Sequence, residues 1–126
     1  MASMQVTAEK NEQVARMTFA SVYPHYVTKV EGKGRTLEEL YEVIKWLTGY
    51  DSKQINKMAK SDIKFREFFK GANIHPNAAL IKGLICGYRI EDISVEFEVY
   101  RQVRYLDKLV DELAKGRKME KILRSM

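Results

Sequence analysis

Toward the C-terminal end of the chain, Val99, Val103, Leu106, Val110 and Leu113 return at spacings of three and four residues. That is the repeat of one face of an α-helix. A stripe of this length must be buried against other elements, so it constrains the fold more than any other feature. The spacing predicts a helix from near Val95 to Lys115, closed by Gly116. It spans only about two heptads, short of the three or four that mark a coiled coil, so it reads as core rather than as an oligomer seam. One pattern competes with it: Ile93, Val95, Phe97 and Val99 alternate with polar residues, as in a half-buried strand. A strand needs a partner. No second alternating segment is evident, and the helix is preferred.

Other segments carry helix signals of their own. Thr36 and Glu39 form a capping box, in which each side chain satisfies an orphan backbone N–H of the first turn. Leu37, Leu40, Tyr41, Ile44 and Leu47 then build one face, and Gly49 is a C-terminal cap. Asp51 with Gln54 repeats the box ahead of Ile55, Met58 and Ala59. Pro24, at a position suited to a first turn, predicts a helix from about Tyr23 to Glu31, with a possible short turn before it. Ser61 or Asp62 is expected to open a helix carrying Phe65, Phe68 and Phe69. Pro76 is expected to open a buried helix ending at Gly87, with Gly83 allowing close packing inside it. Met119, Ile122 and Leu123 mark a last short helix.

The fold class that follows is all-α: a compact single-domain bundle of five to seven helices. With 126 residues the chain is about one domain. A 45% hydrophobic content excludes intrinsic disorder, and two prolines with seven glycines exclude a low-complexity chain. Residues 1–13 are polar and aperiodic and are expected to be mobile, leaving 14–126 as the helical domain. The longest apolar run, Ala78 to Cys86, is interrupted by Lys82 and Gly83 and is too short to span a bilayer. The first residues lack the charged-then-apolar pattern of a secretory signal. A single cysteine excludes an internal disulfide and any multi-cysteine metal site. A cytoplasmic location is the expectation.

Candidate chemistry is sparse. His25, between Tyr23 and Tyr26 beside Pro24, could transfer a proton or hold an anion, but packing at a helix entrance is the preferred account. His75, ahead of Pro76, reads as a helix-start residue. Two histidines fifty residues apart make no zinc motif, and neither metal nor cofactor is expected. Cys86 has no adjacent base to lower its pKa and reads as a small packed hydrophobe. Gly32-Lys33-Gly34-Arg35-Thr36 is glycine-rich and basic but lacks the spacing of a phosphate loop.

The net charge of +5 favours anionic partners. Two stretches concentrate it: Lys53, Lys57, Lys60, Lys64, Arg66 and Lys70 around the phenylalanines, and Lys115, Arg117, Lys118, Lys121 and Arg124 at the end. Base stacking on Phe65, Phe68 and Phe69 would need outward rings, yet their spacing is that of a core. Nucleic acid is therefore not the expected partner, and neither is a membrane.

Several longer strings resemble a bacterial family known as domain-of-unknown-function family 2200. They are Met17-Thr18-Phe19-Ala20-Ser21-Val22-Tyr23-Pro24-His25-Tyr26, Gly34-Arg35-Thr36, Trp46-Leu47-Thr48-Gly49-Tyr50 and Leu80-Ile81-Lys82-Gly83-Leu84-Ile85-Cys86-Gly87. The longest is Arg104-Tyr105-Leu106-Asp107-Lys108-Leu109-Val110-Asp111-Glu112-Leu113-Ala114-Lys115-Gly116, continued by Met119-Glu120-Lys121-Ile122-Leu123-Arg124. The resemblance covers nearly everything after Met17 and implies a small stand-alone bacterial protein. It brings no activity, cofactor or catalytic residue. Where the family pattern suggests an acidic, proline-containing link before the long helix, this chain has Ile93 to Val99.

Without a catalytic pair or metal cluster, the leading functional reading is a non-enzymatic binding or interaction module. The alternative is a small-ligand binder or enzyme with a pocket lined by Tyr23, His25, Trp46, Tyr50 and Cys86. A weak nucleic-acid binder using the basic stretches is the third.

Overall fold

A computed structural model describes residues 5–124. Seven α-helices are formed among them: α1 (Ala8–Arg16), α2 (Phe19–Glu31), α3 (Leu37–Thr48), α4 (Ser52–Ala59), α5 (Phe65–Lys70), α6 (Glu98–Ala114) and α7 (Met119–Ile122). The apolar stripe from Val99 to Leu113 becomes α6, which packs against α1, α2, α3, α5 and α7. Tyr100, Val103, Leu106, Leu109, Val110 and Leu113 are buried along it, so α6 is the central post of the domain. Short 3₁₀ turns at Pro76–Leu80, Ile90–Asp92 and Val95–Phe97 lead into it. The all-α expectation holds, and no helix here is long and apolar enough to cross a membrane.

Helix starts follow local chemistry where the sequence showed it. Both capping boxes form: Thr36 accepts from the Glu39 N–H and Glu39 accepts from the Thr36 N–H, and Asp51 and Gln54 do the same. Gly49 takes the left-handed conformation, φ 79°, that closes α3. Other helices start elsewhere than expected. The Thr18 hydroxyl accepts from the Ser21 N–H, so α2 begins at Phe19 and Pro24 lies inside it. Phe19, fully buried and stacked 4.5 Å from Phe68, anchors that extra turn.

The start of α5 is displaced from Ser61 or Asp62 to Phe65. Here the chain instead pairs with the approach to α2. The Phe19 N–H donates to the Ile63 carbonyl, and the Phe65 N–H donates to the Met17 carbonyl. This bridge holds Phe19, Phe65, Phe68 and Phe69 in one buried aromatic cluster, with neighbouring rings at 4.5 to 6.3 Å.

Two expectations are corrected. The segment after Pro76 is not a buried helix ending at Gly87. The 3₁₀ turn stops at Leu80, and a small antiparallel hairpin follows, pairing β1 (Leu84–Ile85) with β2 (Tyr88–Arg89). Cys86 (φ 53°) and Gly87 (φ 84°) form its two-residue loop, with the positive φ at both positions that a primed turn requires. Gly83 (φ 106°) serves backbone conformation rather than helix packing. The second correction concerns the N-terminus. The boundary expected at Gln13 falls inside α1, which is capped by Thr7 and buries Ala15. Residues 1–4 of the segment expected to be mobile lie outside the described residues.

α1 explains an element that lacks its own cap. Phe97 gives α6 no side-chain cap. The Asn11 amide oxygen, from α1, accepts the Tyr100 N–H at 3.0 Å instead. Beside it, the Lys10 ammonium donates to the Tyr88 hydroxyl at 2.8 Å.

Candidate functional site

The five residues singled out by sequence are distributed over the domain. Tyr23 sits 5.5 Å from the Phe19 ring, and its enclosed hydroxyl has a pKa raised first by burial and then by the neighbouring Tyr41. Tyr50 lies against Phe68 and donates to the Phe68 carbonyl at 2.6 Å. A Cβ on Gly71 would approach the Tyr50 hydroxyl to 2.9 Å, so that glycine makes room for the tyrosine. Cys86 is exposed at the hairpin tip.

His25 is exposed and lines a cavity of about 220 Å³ together with Tyr26, Arg104 and Asp107. A histidine facing a carboxylate would suit proton transfer. The Asp107 carboxylate is already engaged: Tyr26 donates to one oxygen at 2.6 Å and Arg104 donates to the other. Burial first, then Asp107, pushes the Tyr26 hydroxyl well above the usual tyrosine range. Arg104 also donates to the Tyr100 hydroxyl at 2.9 Å. The group reads as a half-buried clamp joining α2 to α6.

Trp46 stacks on His75, with ring centroids 4.3 Å apart and planes 18° from parallel. Trp46 and His25 line different cavities, and Tyr23, Tyr50 and Cys86 line neither of those two. The structure does not bring the five together.

The larger concavity lies elsewhere. About 620 Å³ in volume, it is bounded by α5, the Pro76 turn and α6. That is within the size range of small-ligand sites. α5 contributes Arg66, Phe69 and Lys70, and the turn contributes Ile74, His75 and Ala78. α6 supplies Glu98, Arg101, Gln102 and Tyr105, which recur at helical spacing and so share one flank. Three cations thus face one carboxylate, and Glu98 already accepts from the Gln102 amide at 3.4 Å. The Arg66 guanidinium also pairs with Glu12 of α1. The His75 Nδ1 accepts the Asn77 N–H at 2.9 Å, which assigns the ring proton of the neutral imidazole to Nε2.

Arg101 is distinctive. Arg16, Arg35, Arg66, Arg89, Arg104, Arg117 and Arg124 each have a carboxylate no farther than 3.9 Å. Among the described residues Arg101 pairs with none. Its Nε is buried without a hydrogen-bond partner, and its guanidinium lies 5.9 Å from the Tyr105 ring centroid. The Arg104 Nε is likewise unpartnered, but its other nitrogens reach Asp107 and Tyr100. Leaving a donor of a charged group buried and unpaired costs roughly 1–3 kcal/mol or more.

Sequence reading placed Arg66 and Lys70 in a basic stretch and took His75 for a helix start. It did not single out Arg101. The missed signal was a helical row, Glu98, Arg101, Gln102 and Tyr105, set off from the apolar stripe of the same helix. Phe65, Phe68 and Phe69 are buried and unavailable for stacking on bases. Among the described residues, no group of three or more histidine, cysteine or acidic side chains is placed to hold a metal ion.

The sequence profile of DUF2200, described as an uncharacterized protein conserved in bacteria, matches residues 13–124. The crystal structure of uncharacterized protein SP1917 superimposes with a TM-score of 0.80 at 38% identity, covering 89% of this chain and 91% of that one. No curated protein matches the sequence.

Proposed function

The chain belongs to the bacterial DUF2200 family, whose description assigns no activity, and from that premise we propose a non-enzymatic binding module whose cleft between α5 and α6 takes a small anionic ligand. The observation that carries this reading is Arg101. A guanidinium with one edge buried and no carboxylate partner keeps its fork available, and that fork matches the paired oxygens of phosphate or carboxylate. Lys70 adds positive charge around the same cleft, whereas Arg66 is already paired with Glu12.

An enzyme pocket around Tyr23, His25 and Trp46 finds less support, because His25 and Trp46 line separate cavities and Asp107 is already bonded on both oxygens. Nucleic-acid binding through the C-terminal basic stretch also finds less support. Lys115 pairs with Asp111, and Arg117 and Arg124 pair with Glu112.

Titration calorimetry with inorganic pyrophosphate tests the proposal. Saturable binding is expected, weakened at least about tenfold in Arg101→Gln, the loss of one charge-assisted contact. Absence of binding, or binding indifferent to Arg101→Gln, would overturn it.

A further inference from the structure

Beside Arg101, two more side chains on the α6 flank of the cleft end in polar atoms that the protein leaves unpaired. Gln102 is 8% exposed and Tyr105 6%, and both line the cleft. A carboxylate only accepts hydrogen bonds, so it is the Gln102 amide nitrogen that faces Glu98, at 3.4 Å. The amide oxygen is left as an acceptor with no partner among the described residues, and the Tyr105 hydroxyl has none either. Buried polar groups are as a rule hydrogen-bonded, so each unpaired one calls for an explanation. The Arg101 guanidinium lies 5.9 Å from the Tyr105 ring centroid, which puts both within reach of one small molecule.

We infer that the ligand is a phosphorylated polyol, a molecule of the sugar-phosphate class, with its phosphate on the Arg101 fork and its hydroxyls on Gln102 and Tyr105. This deepens the anion reading of the cleft and rests on it. The phosphate follows from charge. Arg101 and Lys70 both lack a carboxylate partner among the described residues, and two cations suit a dianion better than a lone carboxylate. The hydroxyls follow from the acceptors. The Gln102 amide oxygen and the Glu98 carboxylate can only accept, and an ionised phosphate has no proton to give them. A ligand that satisfies the whole flank therefore carries donors as well as its charge. An ammonium would also donate, but Arg101 and Lys70 repel it. Hydroxyls donate without that cost, and the Tyr105 hydroxyl can give or take a hydrogen bond with them.

The full chain is titrated calorimetrically, in mildly alkaline buffer, with pyrophosphate, glycerol phosphate, propyl phosphate and glycerate. Glycerol phosphate and propyl phosphate are monoesters of equal charge and carbon count, and only the first carries free hydroxyls. Glycerol phosphate is expected to bind at least about tenfold tighter, the worth of a hydrogen bond that fills an otherwise unpaired buried group. Tyr105→Phe and Gln102→Leu should each weaken glycerol phosphate several-fold and leave propyl phosphate no weaker, a split that a misfolded variant would not give. Glycerate keeps the hydroxyls on a carboxylate and is expected well below glycerol phosphate. Propyl phosphate matching glycerol phosphate would overturn the hydroxyl contacts while leaving the anion site standing. So would a glycerol phosphate affinity unmoved by both variants, or a loss equal for the two monoesters. Glycerate matching glycerol phosphate would overturn the phosphate. Failure of pyrophosphate to bind would remove the anion site, and this inference with it.

Discussion

The Glu112 carboxylate is gripped on both oxygens by the Arg124 guanidinium, at 2.8 Å each. Glu112 is 6% exposed, the single buried charged residue among the described residues. Arg124 also donates to the Ile122 carbonyl, and its own carbonyl accepts from the Asn77 side chain. The pair therefore ties the segment after α7 to both α6 and the Pro76 turn.

Breaking that pair from one side strands a buried charge. Arg124→Ala is expected to destabilise the domain by about 3 kcal/mol, in line with one-sided removal of buried partners. Arg117, 3.7 Å from the same carboxylate, compensates in part and sets the loss below the upper end. Urea unfolding of both proteins measures it; a loss below that of a surface pair would show that the grip is solvent-screened.

Thr36→Ala removes one half of the first capping box. Its cost is expected at about 0.5–2 kcal/mol. The Glu39 half survives, because Arg35 holds that carboxylate at 2.7 Å. An unchanged denaturation midpoint would take the cap out of the account of α3.

Glu39 also predicts an acid response. Arg35 first, then the Thr36 N–H, lowers its pKa from the usual 4.5 to about 2 in the folded chain. A depressed carboxyl pKa means the unfolded chain binds the proton more readily, so stability is fully present above about 4.5 and lost as pH falls toward about 2. Glu39→Gln should flatten the decline of stability across that window. The same slope in both proteins would assign the acid loss to other carboxylates, Glu12 and Asp111 among them, which are also lowered.

Arg101→Leu separates binding from folding. If the Arg101 fork serves a ligand, replacing the side chain with an apolar one leaves the unfolding midpoint equal or higher and abolishes pyrophosphate binding. A loss of more than about 2 kcal/mol would mark Arg101 as a structural residue.

Cys86 occupies a left-handed position that suits glycine or asparagine. Cys86→Asn is expected to raise stability by about 1 kcal/mol, since Asn-Gly is the preferred pair for such a loop. Thermal unfolding decides this, and a lower midpoint would mean that the thiol makes a contact worth more than the strain it causes.

How far these features could be read from sequence depends on where each partner lies. Thr36 with Glu39 and Asp51 with Gln54 are local pairs, and both were legible. The α6 stripe was legible because burial alone sets its period. Two misreadings share the opposite cause, and the third, the hairpin, is local but faintly signalled. The caps and bridges that position α5 and α6 come from Met17 and Asn11, tens of residues away. The polar character of α1 hid a helix whose stability comes from docking rather than from its own apolar face. The hairpin escaped notice because its strands are only two residues long and its loop carries cysteine where asparagine is the usual signal. The cleft followed the same rule. Arg66 and Lys70 stood out as a basic run, while Arg101 acquires its meaning only once α5 and the Pro76 turn close over it.

The remote partners of α1 bear on how the protein is made. Asn11 bonds to Tyr100, Lys10 to Tyr88 and Glu12 to Arg66, so this early helix has little to hold it until much later residues have appeared. At ribosomal speeds of about 5–20 residues per second, α1 waits several seconds for the start of α6 to be synthesised. α1 therefore docks only once α6 has followed it, and the N-terminal end of α6 remains uncapped until then.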